Sequence, residues 1–231
     1  SARSSSRSIP TWTPSSLSAP LFVFADTDIF AEAPARLTAA GVSDILGKYI
    51  ALADWKIASI LMNEYYCTEV VNLETKAIRT VKDNLKEIAA GEKDACEKLM
   101  YALILSGLAM QMTGNSRPAS GAEHHMVHLW DMEVVNGHLN ALHGEKVSAA
   151  TMLVLLEYKK LADAIRRGTC RVHAFADGDR ELLQETFGRK GILGALEKEN
   201  TPELLDDVSI ETFSGALPEI LKIIDFLPAV T

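Results

Sequence analysis

The sequence predicts an all-α fold, a helical bundle with a single strand at its amino end. Two patterns carry this expectation. From Ile29 to the carboxyl end, apolar residues recur at helical spacing, with Gly91 and Gly168 reading as helix stops. Ahead of them stands one short apolar run, "LFVFADTD", closed by Asp26 and Asp28, the pattern of a buried strand that ends in a helix cap. One strand cannot make a sheet, and no fixed-period repeat is visible.

Taken in order, residues 1–19 are rich in Ser, Pro and Arg and lack periodicity, so they read as a disordered lead-in. Their Arg and Ser bias comes without an amphipathic apolar face, which argues against a targeting segment. A short helical piece, "IFAEAPARLTAAG", contains a proline and closes on Gly41. A longer helix follows in "SDILGKYIALADWKIASILMNEYY", starting near Val42 or Ser43, with Ile45, Tyr49, Leu52, Lys56 and Ile60 on helical spacing. "NLETKAIRTVKDNLKEIAAG" predicts one amphipathic surface helix stopped by Gly91. "DACEKLMYALILSGLAMQMTGN" is apolar on nearly all sides, as a central core helix would be. "KVSAATMLVLLEYKKLADAIRRG" predicts a helix ended by Gly168, and two more follow in "DRELLQETFGRKGILGALEKEN" and "SGALPEILKIIDFLP".

The chain has 231 residues and is 48% hydrophobic, enough apolar mass for one large domain with a tail. A formal net charge of -8 without a basic stripe opposes nucleic-acid binding, which needs clustered Lys and Arg. Cys67, Cys96 and Cys170 are far apart and form no C-x-x-C pair, so they read as buried free thiols in a reducing cytosol rather than a disulfide framework or thiolate metal site. The longest apolar run is broken by Ser106 and Gly107 and falls short of the roughly 20 residues of a membrane span.

Chemistry concentrates between Asn115 and Val147, where five of the six histidines fall. His124 and His128 are four apart, which on a helix puts both on one face. His143 stands just before "GEKV", where a new helix begins, and a helix-turn-helix return would bring it beside that pair. His125 and His138 lack such spacing and read as a neighbouring polar residue and a loop residue. Taken alone, each histidine is better read as an ordinary surface or core residue; the clustering points to a shared ligand. A divalent metal also wants an anionic ligand. Asp44, in the first turn of a strongly apolar helix, is the leading candidate, with a helix-dipole acid as its alternative reading.

Together "VFADTD", "AAGVSDILGKYIALADWKI", "GNSRPASGAEHHMVHLWDM" and "HGEKV" closely resemble the bacterial-type sn-glycerol-1-phosphate dehydrogenases. These lie in the iron-containing alcohol dehydrogenase superfamily, with glycerol dehydrogenase and dehydroquinate synthase. The resemblance runs from about Pro20 to the carboxyl end. It implies a dehydroquinate synthase-like fold, of which residues 20–231 would be the helical, metal-binding carboxyl-terminal domain. Asp44, His124 and His143 are thereby implied as ligands of a divalent zinc or nickel ion; His124 rather than His125, because the family's His-x-x-x-His spacing fits only His124 and His128. His128 is implied on the substrate side. Ser116, Arg117 and Ser120 are candidates to hold the substrate phosphate, and Lys48 could neutralise the site or pair with another acid. The implied reaction is reduction of dihydroxyacetone phosphate to sn-glycerol 1-phosphate by NADH or NADPH, in a cytoplasmic homodimer.

No Gly-rich strand-to-helix turn precedes Leu21, so the family's nucleotide domain is expected to be absent and the chain alone inactive. Two other readings stay open. One is a dehydrogenase of unphosphorylated glycerol or another polyol, and the other is a non-catalytic helical remnant that binds a partner.

Overall fold

The computed structural model describes residues 22–131, 137–172, 180–187 and 208–228, and the lead-in expected over residues 1–19 lies outside them. Among the described residues all regular structure is helical: α1 (Thr27–Ala31), α2 (Ala35–Met62), α3 (Thr68–Asp83), α4 (Leu85–Ala89), α5 (Lys93–Thr113), α6 (Ala122–Asp131), α7 (His143–Arg166), α8 (Arg180–Phe187) and α9 (Ile210–Ile224). Most of the helix expected over 179–200 falls outside the described residues, α8 excepted. No helix among them is long and apolar enough to cross a membrane. All three cysteines are free; Cys96 is buried, Cys67 and Cys170 half-buried.

The expected strand is not formed. Residues 22–26 are irregular, and Phe22, Val23 and Phe24 are exposed. A strand needs a neighbour for its N–H and C=O groups, and no described segment supplies one. The capping half of the expectation is met: Asp26 Oδ1 accepts from the backbone N–H of Asp28 at 2.9 Å and of Ile29 at 3.4 Å.

Gly41 does not stop a helix. α2 starts after Pro34 and runs unbroken for 28 residues through Gly41 and Gly47 to Asn63, a left-handed cap with φ 54°. Tertiary packing overrides the cost of about 1 kcal/mol that a glycine adds inside a helix. The role of central helix belongs to α2, not to α5. Ile45 packs with Ile78, Val81 and Leu99. Ile50 faces Val154 and Leu155 of α7, Trp55 faces Val70 and Ala109, and Ile57, Ile60 and Leu61 close over Ala162, Ile220 and Ile224. Helix α2 is thus covered on every side. On α5, by contrast, Tyr101, Leu108, Met110 and Met112 remain exposed.

The expected single helix over 72–91 is two. It breaks at Asn84, whose Nδ2 donates to the Thr80 carbonyl at 2.8 Å while its Oδ1 accepts from Lys98 Nζ at 2.8 Å. Nor is α3 only a surface helix, because it buries Glu74 completely. Neither Glu74 carboxylate oxygen has a hydrogen-bond partner. Burial raises its pKa above the usual 4.5, with the Asp44 charge acting the same way and Ser106 and Lys48 opposing. A raised folded pKa means the folded chain holds this proton more tightly than the unfolded chain does. Its stabilising effect is present below the unfolded pKa and is lost as pH rises through the folded value. Glu74→Gln is therefore expected to raise the urea midpoint at about pH 8 relative to the unmutated chain, with the difference vanishing near pH 4.

Candidate metal centre

Three helices meet where α7 begins. An added Cβ on Gly144 would lie 1.9 Å from the backbone oxygen of Ala40, and one on Gly47 would lie 2.6 Å from Val147 Cγ1. Only glycine lets α7 approach α2 this closely. An ionic clamp holds the approach: Arg36 Nε and Nη2 donate to Glu145 Oε1 at 2.6 Å and Oε2 at 2.7 Å. Glu145 Oε2 in turn accepts from the backbone N–H of Leu142 at 2.8 Å, satisfying a donor at the start of α7. Helix α6 enters from the third side after Gly121, with Val127 packed against Val147 and Ala150.

The packing brings Asp44 of α2, His124 of α6 and His143 of α7 together, their ligand atoms within 4.8 Å of one another. Asp44 Oδ1 lies 3.6 Å from His124 Nε2 and 3.7 Å from His143 Nε2, and the two imidazole nitrogens are 3.3 Å apart. A tetrahedral ion with bonds of about 2.0–2.1 Å spans ligand pairs about 3.3–3.4 Å apart, so this triangle needs little contraction to close on one. One carboxylate oxygen and two imidazole nitrogens suit zinc or nickel.

Two of the three candidate ligands have support behind them. Asp44 Oδ2 accepts from Lys48 Nζ at 2.9 Å, with Lys48 itself buried. His124 Nδ1 lies 2.7 Å from Glu123 Oε1, which assigns the Nδ1 proton to that bond and leaves Nε2 facing Asp44 and His143. Asp131 Oδ2 is 3.9 Å from His143 Nδ1, too far for a hydrogen bond, and Asp131 also pairs with Lys146. Burial pushes the Asp44 carboxyl up, but the His124 and Lys48 contacts outweigh it and hold it well below the usual carboxylate range. Burial pulls His124 down, while Asp44 and Glu123 raise it to about 9. A metal bound at neutral pH would therefore displace a proton.

The geometry also sorts the remaining candidates. Asp44 is the tenth residue of α2, so the helix-dipole reading of its position fails. His125 and His128 are exposed, although the His128 ring lies 6.3 Å from that of His124 and borders the triangle. Burial, then the neighbouring His124 and His143, keep the His128 pKa below its ordinary value. His138 is exposed in the loop before α7. Arg117 is engaged elsewhere: its Nε and Nη2 donate to Glu64 Oε1 and Oε2, each at 2.8 Å. Ser116 is exposed, its carbonyl accepting from the N–H groups of Ala119 and Ser120, both at 2.9 Å. The supporting Glu123 and Asp131 and the Arg36–Glu145 clamp carry little sequence signal. Adjacent helix residues do not ordinarily face each other, and Arg36 is 109 residues from Glu145.

No protein-family model matches the chain. It is 42% identical over 193 residues to a protein of Geobacillus thermodenitrificans, covering 78% of this chain and 48% of that protein. It is 34% identical over 197 residues to one of Bacillus subtilis (83% and 49%), and 37% identical over 153 residues to one of Methanosarcina mazei (64% and 42%). All three are named glycerol-1-phosphate dehydrogenase (NAD(P)+). By sequence, then, the chain belongs with the glycerol-1-phosphate dehydrogenases, and it spans about half the length of the relatives it matches.

Proposed function

We propose that this chain supplies the metal-binding half of a cytoplasmic, homodimeric NAD(P)-dependent sn-glycerol-1-phosphate dehydrogenase that reduces dihydroxyacetone phosphate. The observation that carries the reading is the convergence of Asp44, His124 and His143, far apart in sequence, to within 4.8 Å. What zinc or nickel supplies when bound there is Lewis acidity toward a carbonyl or alkoxide oxygen. The residues of the chain do the holding: Asp44 offers one oxygen while Lys48 occupies the other, His124 offers Nε2 while Glu123 holds Nδ1, and His143 offers Nε2 from the half-exposed rim. His143 thus meets solvent on the side bordered by His128. The nicotinamide cofactor would be held by the other half of the full-length protein, so we infer that this chain alone turns over no dihydroxyacetone phosphate.

Metal content after stripping and reloading with nickel or zinc tests the reading directly. About one metal per chain is expected, and its loss in His143→Ala with the helical circular dichroism unchanged. A well-folded chain that takes up no metal would sink the proposal and favour a helical interaction module.

One observation favours the polyol reading. Arg117 can reach a substrate phosphate only by exchanging Glu64 for it. In the full-length enzyme, Arg117→Ala raises the KM for dihydroxyacetone phosphate if the phosphate reading holds and leaves it unchanged if Arg117 is purely structural.

A further inference from the structure

We propose that Glu123, Asp54 and Tyr158 form a buried polar lock that positions His124, fixing the rotation of its imidazole and aiming Nε2 at Asp44 and His143. The proposal rests on the metal-centre reading above and assigns roles to three residues that coordinate nothing.

Asp54 sits on α2, ten residues after Asp44. Its Oδ2 accepts from the backbone N–H of Ala122 at 2.7 Å, and its Oδ1 accepts from the Tyr158 hydroxyl of α7. Helix α6 starts at Ala122 directly after Gly121, a residue with no side chain to cap it. Asp54 therefore acts as a cap delivered from a different helix, and Tyr158 holds that cap from a third. Burial, then the Asp54 carboxylate, keep the Tyr158 hydroxyl protonated and hence a donor. The three helices tied by this contact are the same three that carry Asp44, His124 and His143.

Glu123 completes the lock. It is fully buried, and its Oε1 accepts from Gly121 N–H at 3.1 Å and lies 2.7 Å from His124 Nδ1. An added Cβ on Gly121 would lie 2.6 Å from Asp54 Oδ2, 2.9 Å from Glu123 Oε2 and 2.9 Å from Ala51 Cα. Both carboxylates thus close over one stretch of bare backbone that only glycine leaves open. Glu123 Oε2 is buried without a hydrogen-bond partner, so the side chain is held at a cost in desolvation. An apolar side chain of that size would fill the space at no such cost. What a carboxylate adds there is an acceptor for His124 Nδ1–H, which sets the tautomer and the ring angle.

The test uses the whole chain, with cobalt as the probe metal. Its dissociation constant is measured by chelator competition and its coordination by visible absorption; the His124 ring nitrogens are read by NMR in metal-free protein across a pH series. Glu123→Gln keeps the shape of the side chain and is expected to weaken cobalt about tenfold or more, to alter the absorption bands, and to shift the His124 Nδ1 resonance. Tyr158→Phe touches no ligand and is expected to weaken cobalt several-fold in the same direction, whereas a purely structural tyrosine would move only the melting temperature. Exposed Lys160→Ala should leave all readouts unchanged. Unaltered cobalt affinity together with unaltered His124 nitrogen shifts in Glu123→Gln would overturn the lock. If the unmutated chain binds no cobalt at all, the metal reading fails, and the nitrogen shifts still decide whether Glu123 fixes the ring.

Discussion

Gly144→Ala is expected to destabilise the chain by about 2–3 kcal/mol and to open the proposed metal site. The added methyl would sit 1.9 Å from the Ala40 backbone oxygen and 2.5 Å from its carbonyl carbon, and a backbone cannot rotate aside as a side chain can. Overpacking of this kind costs about 3 kcal/mol. The helix propensity gained by replacing glycine returns at most about 1 kcal/mol. Relief requires α7 to move off α2, which widens the 3.7 Å gap between Asp44 and His143. Gly47→Ala is the control. Its methyl would meet Val147 Cγ1 at 2.6 Å, a buried β-branched side chain rather than backbone, so a smaller loss of about 1–2 kcal/mol with metal binding retained is expected. Urea midpoints and metal content of the two variants check this. Equal losses in both would show that the Ala40 contact does not govern the approach.

Lys48→Met should be nearly as damaging, for an electrostatic reason. Lys48 is almost wholly buried between Asp44, to which it donates, and Glu74, whose charge it offsets. Breaking a buried pair strands the remaining charge at a cost of about 3–5 kcal/mol; the Asp44 side chain is 23% exposed, so about 3 kcal/mol is expected. At about pH 8, where Glu74→Gln alone already stabilises, adding it to Lys48→Met should restore about 1 kcal/mol more than it adds to the unmutated chain, a non-additivity measured by a double-mutant cycle in urea. Strict additivity would mean that Glu74 does not feel Lys48.

The sequence read well wherever the information is local. Helical periodicity located most of the helices, left-handed Gly91 and Gly168 ended them as expected, and Asp26 capped α1. The spacing of His124 and His128 on one helix, and the return to His143 at the start of the next, were visible in the same way. Legibility failed where packing decides. Gly41 looks like a helix stop in sequence, yet it lies inside α2, which continues because its apolar residues pack on all its neighbours. The apolar α5 looked central, yet α2 took that place because its apolar residues point outward in every direction toward α3, α5, α7 and α9.

The candidate site divides along the same line. The sequence offered the donors: spacing alone grouped His124, His128 and His143 and left the acid open, and the family resemblance narrowed the candidates to Asp44, His124 and His143. Tertiary structure alone decided that these donors converge, that Lys48 and Glu123 stand behind them, and that Arg117 is committed to Glu64. The physical reason is range. Helix signals act over three or four residues, whereas the approach of α7 to α2 depends on a missing methyl at Gly144 and an ion pair 109 residues apart, neither of which leaves a periodic trace.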